Sequence, residues 1–476
     1  MTEPRRPRIL LITRNLPPLV GGMERLNWHM AEELAKVAEV RIIGPQGSAA
    51  LAPAGVSVRE APLKPLWKFL LRARSLARRE ARQWKPDIVL AGSGLAAPLA
   101  RSAARIGRAR SAVYVHGLDI AVRHPVYRAL WLPAIRRMDR VIANSHATAA
   151  LCRGIGVDPA RIGIVHPGVD LPNRTVPLGG PEGPNGDCKA TDMPSMAKSS
   201  TVAASAAPTS VAPTRRAATS VGGPEGPIRG GMPSMASSTV AASAAPTSVA
   251  PTRRAATSVG GPEGPTNAFR QRHNLAGRPI LLSVGRLSAR KGLREFVAQC
   301  LPRIVAVRPD AVLLIVGDAP NEALHAEAQT PDSIRTAAAT AGVADNLRFL
   351  GTITDYAELG TVYRAADVHV FPVREIPGDP EGFGMVAVEA AAHGLPTVAF
   401  ATGGVVDAVE EGQSGYLVPP GDYALFADAA LGALVAHHAM RTSCIAFAQR
   451  FAWPAFGSQI VAQLRLAASE QPTVAR

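Results

Sequence analysis

Short apolar runs alternate with longer amphipathic stretches at both ends of this chain, and a different pattern fills the middle. Toward the N-terminus the runs are Arg8–Thr13, Val40–Ile43, Asp87–Ala91, Ala112–His116, Arg140–Asn144 and Ile162–His166. Toward the C-terminus they are Pro279–Val284, Ala311–Val316, Leu347–Leu350, Val368–Phe371, Thr397–Phe400 and Tyr416–Val418. Runs this short, separated by helical patterns, read as buried strands of parallel sheets. The pattern predicts an α/β protein with two Rossmann-like, doubly wound domains, residues 1–178 and 266–476, and a cleft between them. In such sheets ligands bind beyond the carboxyl ends of the strands.

Residues 179–265 lack any such period. Thr201–Pro227 and Thr239–Pro265 are identical copies, and a third Gly-Gly-Pro-Glu-Gly-Pro stands at Gly179–Pro184. The segment is rich in Ala, Ser, Thr, Pro and Gly and has no aromatic residue. It buries too little apolar surface to offset the entropy of ordering, so a disordered repeat insert is expected. Two copies are too few for a solenoid.

Composition narrows the class. The 476 residues suffice for two buried cores. Cys152, Cys188, Cys300 and Cys444 lie far apart with no CxxC pair, which fits a reducing cytoplasm and no structural zinc. The first apolar run is too short for a signal peptide, and no apolar stretch approaches the roughly 20 residues of a membrane span.

Charge is unevenly spread. Residues 1–178 hold 28 Lys/Arg against 12 Asp/Glu, whereas residues 266–476 hold 17 against 20. The first domain is therefore expected to meet an acidic partner. Lys64–Lys85 alone carries eight cations and one acid. Trp67, Leu70, Leu71 and Arg74 are expected to share a helical face with Ala77 and Ala81. Lys68, Arg72, Arg79 and Arg82 lie elsewhere, and Arg78 adds to the charge. Such a helix suits an anionic membrane surface, and it equally suits the plain surface of an arginine-rich protein.

Candidate chemistry concentrates in the second domain. Residues 381–389 read Glu-Gly-Phe-Gly-Met-Val-Ala-Val-Glu, between a strand and an alanine-rich helix. Glu381 falls just before a helix N-terminus and Glu389 inside the helix, at most about 12 Å apart. The intervening N–H groups of Phe383, Gly384 and Met385 favour an anion, and Gly382 is counted with them among the donor-binding residues. Hydroxyls at both ends and an anion between them describe a sugar nucleotide; solvated glutamates on a capped helix are the plainer alternative. After the second domain's first strand come Gly285-Arg286 and Arg290-Lys291-Gly292, where Arg286 suits bidentate phosphate contact and Lys291 a point charge. In the first domain, Gly21-Gly22 precedes a helix, and His116 ends a buried strand ahead of Asp119.

The Glu-x7-Glu segment, with these motifs, resembles the donor site of retaining glycosyltransferases of family four, which have the GT-B fold. The resemblance extends over nearly all of the chain outside the repeats. It implies that Glu381 holds the sugar, Glu389 the ribose, and Arg286 and Lys291 the diphosphate. It also implies that Gly21 and Gly22 border the cleft and that His116 contacts the sugar. Thr402-Gly403-Gly404-Val405-Val406-Asp407 resembles a family turn that more often ends in Glu. Neither a metal nor another cofactor is expected. The run Pro377–Gly384 favours GDP-mannose as donor, with a UDP-sugar as the alternative. The acceptor implied is lipid-linked or a saccharide, for surface polysaccharide, lipopolysaccharide or glycolipid synthesis. The expected location is cytoplasmic, on the inner face of the cytoplasmic membrane. A nucleotide-sugar epimerase can share the architecture. A nucleic-acid partner is not expected, since no recognition module accompanies the basic charge.

Overall fold

A computed structural model of the chain describes residues 5–172, 264–319 and 329–469. The repeat insert assigned to 179–265 lies outside the described residues except for Gly264 and Pro265. Pro265, the last residue assigned to the insert, opens the helix Pro265–Arg272.

Two parallel sheets form the framework. The first contains β1 (Arg8–Ile12), β2 (Glu39–Pro45), β3 (Ser57–Ala61), β4 (Ile88–Ala91), β5 (Arg110–Val115), β6 (Arg140–Ala143) and β7 (Ile162–Ile164). The second contains β8 (Ile280–Val284), β9 (Val312–Val316), β10 (Leu347–Gly351), β11 (Val368–Phe371), β12 (Thr397–Phe400) and β13 (Gly415–Val418). Their orders are β3-β2-β1-β4-β5-β6-β7 and β10-β9-β8-β11-β12-β13. Each order reverses beside its first strand, between β1 and β4 and between β8 and β11. That reversal opens a crevice at the carboxyl ends. The central strands β4, β6, β9, β11 and β12 are buried along their whole length, as sheets covered by helices on both faces require.

Strand β3 is absent from the sequence reading. It is an edge strand with only Ala61 fully buried, so its alternation is too weak to stand out. The basic helix, Leu66–Gln83, also departs from expectation. Its buried face is Phe69, Ala73, Leu76, Ala77, Glu80 and Ala81. Trp67 and Leu71, expected to share the face of Ala77, are 58% and 59% exposed. Phe69 and the alanines repeat at four-residue spacing, and small residues let this helix pack closely on the helix Ala97–Gly107.

The last helix, Trp453–Ser469, lies against the first sheet. Trp453, Phe456, Ile460 and Leu464 join the cluster of Leu11, Leu26, Met30 and Tyr114. Among the described residues no helix is long and apolar enough to cross a membrane.

Candidate active site

The carboxyl ends of β8 and β11 bring the two basic and acidic motifs together. Lys291 Nζ donates to Glu381 Oε2 at 2.9 Å, and Arg290 Nε lies 3.4 Å from the same oxygen. Arg290 also donates to Asp379 Oδ1 at 2.8 Å and to the Pro380 carbonyl at 3.0 Å. All four charged side chains are largely shielded. Burial alone would raise the Glu381 carboxyl, but Lys291 and Arg290 override it and hold it at about 2. Burial pulls the Lys291 ammonium below its ordinary value, against the raising influence of Glu381. Arg286 is exposed on the same loop, near enough for its charge to act on both. Gly285 stands at the end of β8 beside the Lys291 stem.

This pairing sets a pH dependence. Because the folded carboxyl titrates below its unfolded value of 4.5, the pair's contribution is complete above about pH 4.5. It disappears as pH falls toward about 2. Glu381→Gln is expected to flatten the fall of Tm across that window and leave the rest of the profile alone. A mutant profile parallel to wild type would contradict the pairing.

The Glu381 loop meets the first lobe. Gly382 lies so close to the end of β5 that an added Cβ would collide with the His116 carbonyl oxygen and sit 2.8 Å from Asn144 Nδ2. Glycine permits that approach. His116 is half-buried, and its Nε2 is 3.1 Å from the Gly92 carbonyl. Asp119 accepts from the His116 amide at 3.1 Å and so fixes the turn, while Gly92 fixes the ring.

Phe383 is buried at 2% exposure and stacks on His166 of the first lobe, ring centroids 5.2 Å apart. Gly384 ends the loop, and Met385 begins the helix Met385–Ala392, whose first-turn N–H groups lack partners within the helix. Gly21 and Gly22 open the first lobe's helix Gly22–Ala35, and a Cβ on Gly22 would lie 3.4 Å from Met385 Sδ. The two glycine-bearing turns therefore face one another across the cleft.

Glu389 is held more tightly than the sequence suggested. Its carboxylate pairs with Arg25, from the opposite lobe, and accepts from the Tyr363 hydroxyl at 3.2 Å. Arg25 also reaches Asp170 at 3.7 Å. Asp407 makes a second bridge between the lobes, accepting from the His146 amide at 2.6 Å and lying 3.0 Å from its Nδ1. His146 begins the helix His146–Gly154, so the carboxylate meets the positive end of that helix. His146, His166 and Asp407 place ligand-type atoms within 4.8 Å of one another; the Asp407 contacts already account for this grouping.

Sequence reasoning missed Arg25 and the pairing roles of Arg290, Asp379 and Asp407. Arg290 stood beside Lys291, Asp379 within the run Pro377–Gly384 and Asp407 at the end of the turn Thr402–Asp407, but none of these motifs says which charge it meets. Trp67, Lys68, Arg72, Arg78, Arg79 and Arg82 lie on the basic helix and not in this cluster.

Two facing parallel sheets, with a cation–carboxylate cluster at the carboxyl ends of the second, define a protein of GT-B fold. Residues 20–172 match the Glycosyltransferase Family 4 model and residues 278–435 the Glycosyl transferases group 1 model. The chain belongs to the family-four glycosyltransferases. The D-inositol 3-phosphate glycosyltransferase 2 of Catenulispora acidiphila is 37% identical over 185 residues, 37% of this chain and 40% of that protein. A Corynebacterium glutamicum protein named GDP-mannose-dependent monoacylated alpha-(1-6)-phosphatidylinositol monomannoside mannosyltransferase is 35% identical over 133 residues, 28% of this chain and 32% of its own. The chain thus matches less than half the length of these relatives. The structure of Anabaena Alr3699/HepE in complex with UDP-glucose superposes with a TM-score of 0.62 at 18% identity, covering 96% of this chain and 99% of that one.

Proposed function

We propose that the protein transfers a hexose, with retention of configuration, from a nucleotide sugar to a lipid-linked or saccharide acceptor. The observation that carries this reading is the Lys291–Glu381–Arg290 cluster facing His116 across the Gly382 contact. Breaking the anomeric bond puts positive charge on the sugar and negative charge on the departing diphosphate. In this reading Lys291, Arg290, Arg286 and the N-terminus of the helix Met385–Ala392 stabilise that diphosphate. Glu381 accepts from sugar hydroxyls once its cations turn to the phosphates, and Glu389 accepts from the ribose when Arg25 yields. The acceptor attacks from the face the diphosphate leaves, within an ion-pair-like state. No metal is given a role in this scheme.

Mannose from GDP-mannose is the preferred donor, supported by the Pro377–Gly384 run and by the name of the corynebacterial relative. Thermal shift against a panel of sugar nucleotides tests this: GDP-mannose is expected to raise Tm most, and Glu389→Ala to weaken that response. Stabilisation by none of the panel defeats the reading. A UDP-sugar giving the largest shift reassigns the base. Release of free or epimerised sugar without any acceptor would favour the epimerase.

The exposed Trp67 and Leu71, on one helix with Lys68, Arg72, Arg74, Arg78, Arg79 and Arg82, support docking on an anionic membrane from the cytoplasmic side. Each cation near such a surface contributes about 1 kcal/mol. Replacing Arg78, Arg79 and Arg82 by Gln is expected to lower partitioning onto anionic vesicles on the order of a hundredfold, read by sedimentation. Equal binding to neutral vesicles would rule out this mode.

A further inference from the structure

The second lobe holds another polar cavity, of about 410 Å³, at the amino ends of β8, β11 and β12. The donor cleft is at the carboxyl ends, so the two sites occupy opposite edges of one sheet. Arg270, Arg364, Arg441, His393, His437 and His438 line the cavity, and Asp367 is the one acid among its lining residues. That acid is already engaged. It pairs with Arg270 at 2.7 Å, accepts from the Ile280 amide at 2.7 Å and lies 3.5 Å from His437 Nε2. Arg270 is further fixed by the Ala365 and Arg278 carbonyls.

Arg364 and Arg441 are left over. Arg364 donates to Thr361 Oγ1 at 3.2 Å, and neither arginine forms an ion pair among the described residues. Their charges disfavour each other: burial first, then Arg441, lowers the Arg364 pKa. Arg441 is nonetheless held inward. Its stem crosses the turn after the helix Met385–Ala392, where Gly394 has φ +77° and an added Cβ would lie 2.6 Å from Arg441 Cγ. Any side chain there would push the arginine away. His393 anchors its Nδ1 on the Glu389 carbonyl at 2.9 Å and stacks on Tyr363, which fixes the adjoining wall.

Two neighbouring guanidinium groups with no ion-pair partner among the described residues, in a cavity of ligand size, suit an oxyanion that accepts paired N–H bonds. We propose that this cavity binds a phosphate-bearing small molecule through Arg364 and Arg441, with His438 at its exposed rim. The proposal does not depend on the reading of the donor cleft.

Calorimetric titration of the full chain with sodium pyrophosphate, at fixed ionic strength, tests it. Wild type is expected to show two classes of site. Lys291→Ala removes the class at the donor cleft and keeps the other. Arg364→Gln with Arg441→Gln removes the second and keeps the first, each arginine accounting for roughly a tenfold to hundredfold change in affinity. His438→Glu, a change on the exposed rim that gives up the ring contact with His437, is expected to weaken the second class by about tenfold through like-charge repulsion. An unaltered second class in both the double variant and His438→Glu overturns the proposal. Two classes persisting in Lys291→Ala would count against the donor cleft alone. A phosphate monoester binding more tightly than pyrophosphate, with the same dependence on Arg364 and Arg441, identifies an ester as the physiological ligand.

Discussion

Replacing Lys291 by alanine is expected to slow sugar transfer by two to three orders of magnitude while leaving the protein folded. Lys291 touches Glu381 at 2.9 Å and lies over the Phe371 ring, 4.5 Å from its centroid. It is a shielded cation, and in the proposed reaction it meets the leaving diphosphate. Removing one such preorganised contact commonly costs about 2.7–4 kcal/mol of barrier, a factor of roughly 10²–10³ in rate. Arg290 stays 3.4 Å from Glu381, so the carboxylate keeps a partner and the loop keeps its shape. The effect should therefore appear in single-turnover rate with GDP-mannose and hardly in Tm. A variant that keeps wild-type turnover removes Lys291 from the site. One that loses Tm in step with activity makes the contact structural.

Trp453→Ala is expected to give the largest loss of stability. The indole is 6% exposed, donates to Asp170 Oδ1 at 2.8 Å, and stacks on His29 with ring centroids 4.0 Å apart. It begins the helix that closes one face of the first sheet. Truncating a buried aromatic of this size costs about 3–5 kcal/mol, part of it from the void left behind. A loss of that size corresponds to a fall in Tm on the order of 10 °C for a unit this large. Trp453→Phe retains most of the packing and forfeits the hydrogen bond, so a smaller drop is expected. Equal Tm for wild type and Trp453→Ala, in differential scanning calorimetry, would mean that the last helix is not seated as described.

These two residues mark what was readable before folding and what was not. Lys291 follows a strand whose one polar position is Ser283, and runs such as Ile280–Val284 and Val312–Val316 read as buried strands whatever their neighbours. Twelve of the thirteen strands were legible as such short, mainly apolar runs. Strand β3 was not, because an edge strand needs only one face shielded and Ser57–Ala61 offers little apolar periodicity. The basic helix was legible as a helix, but its orientation was not. Trp67 has the larger aromatic ring, yet Phe69 sits in register with Ala73 and Ala77, and close helix packing selects small residues.

The site divides along the same line. Glycine-rich turns, the strand-end histidine and the acidic pair at 381 and 389 are local patterns, so the class of fold and the motifs that gather at the strand ends could be read before any tertiary contact was known. Which charge meets which was decided by tertiary structure alone. Arg25 finds Glu389 across 364 residues and His146 finds Asp407 across 261. Contacts of that span leave no periodic trace, because they arise only when two separately folded sheets present their carboxyl ends to each other.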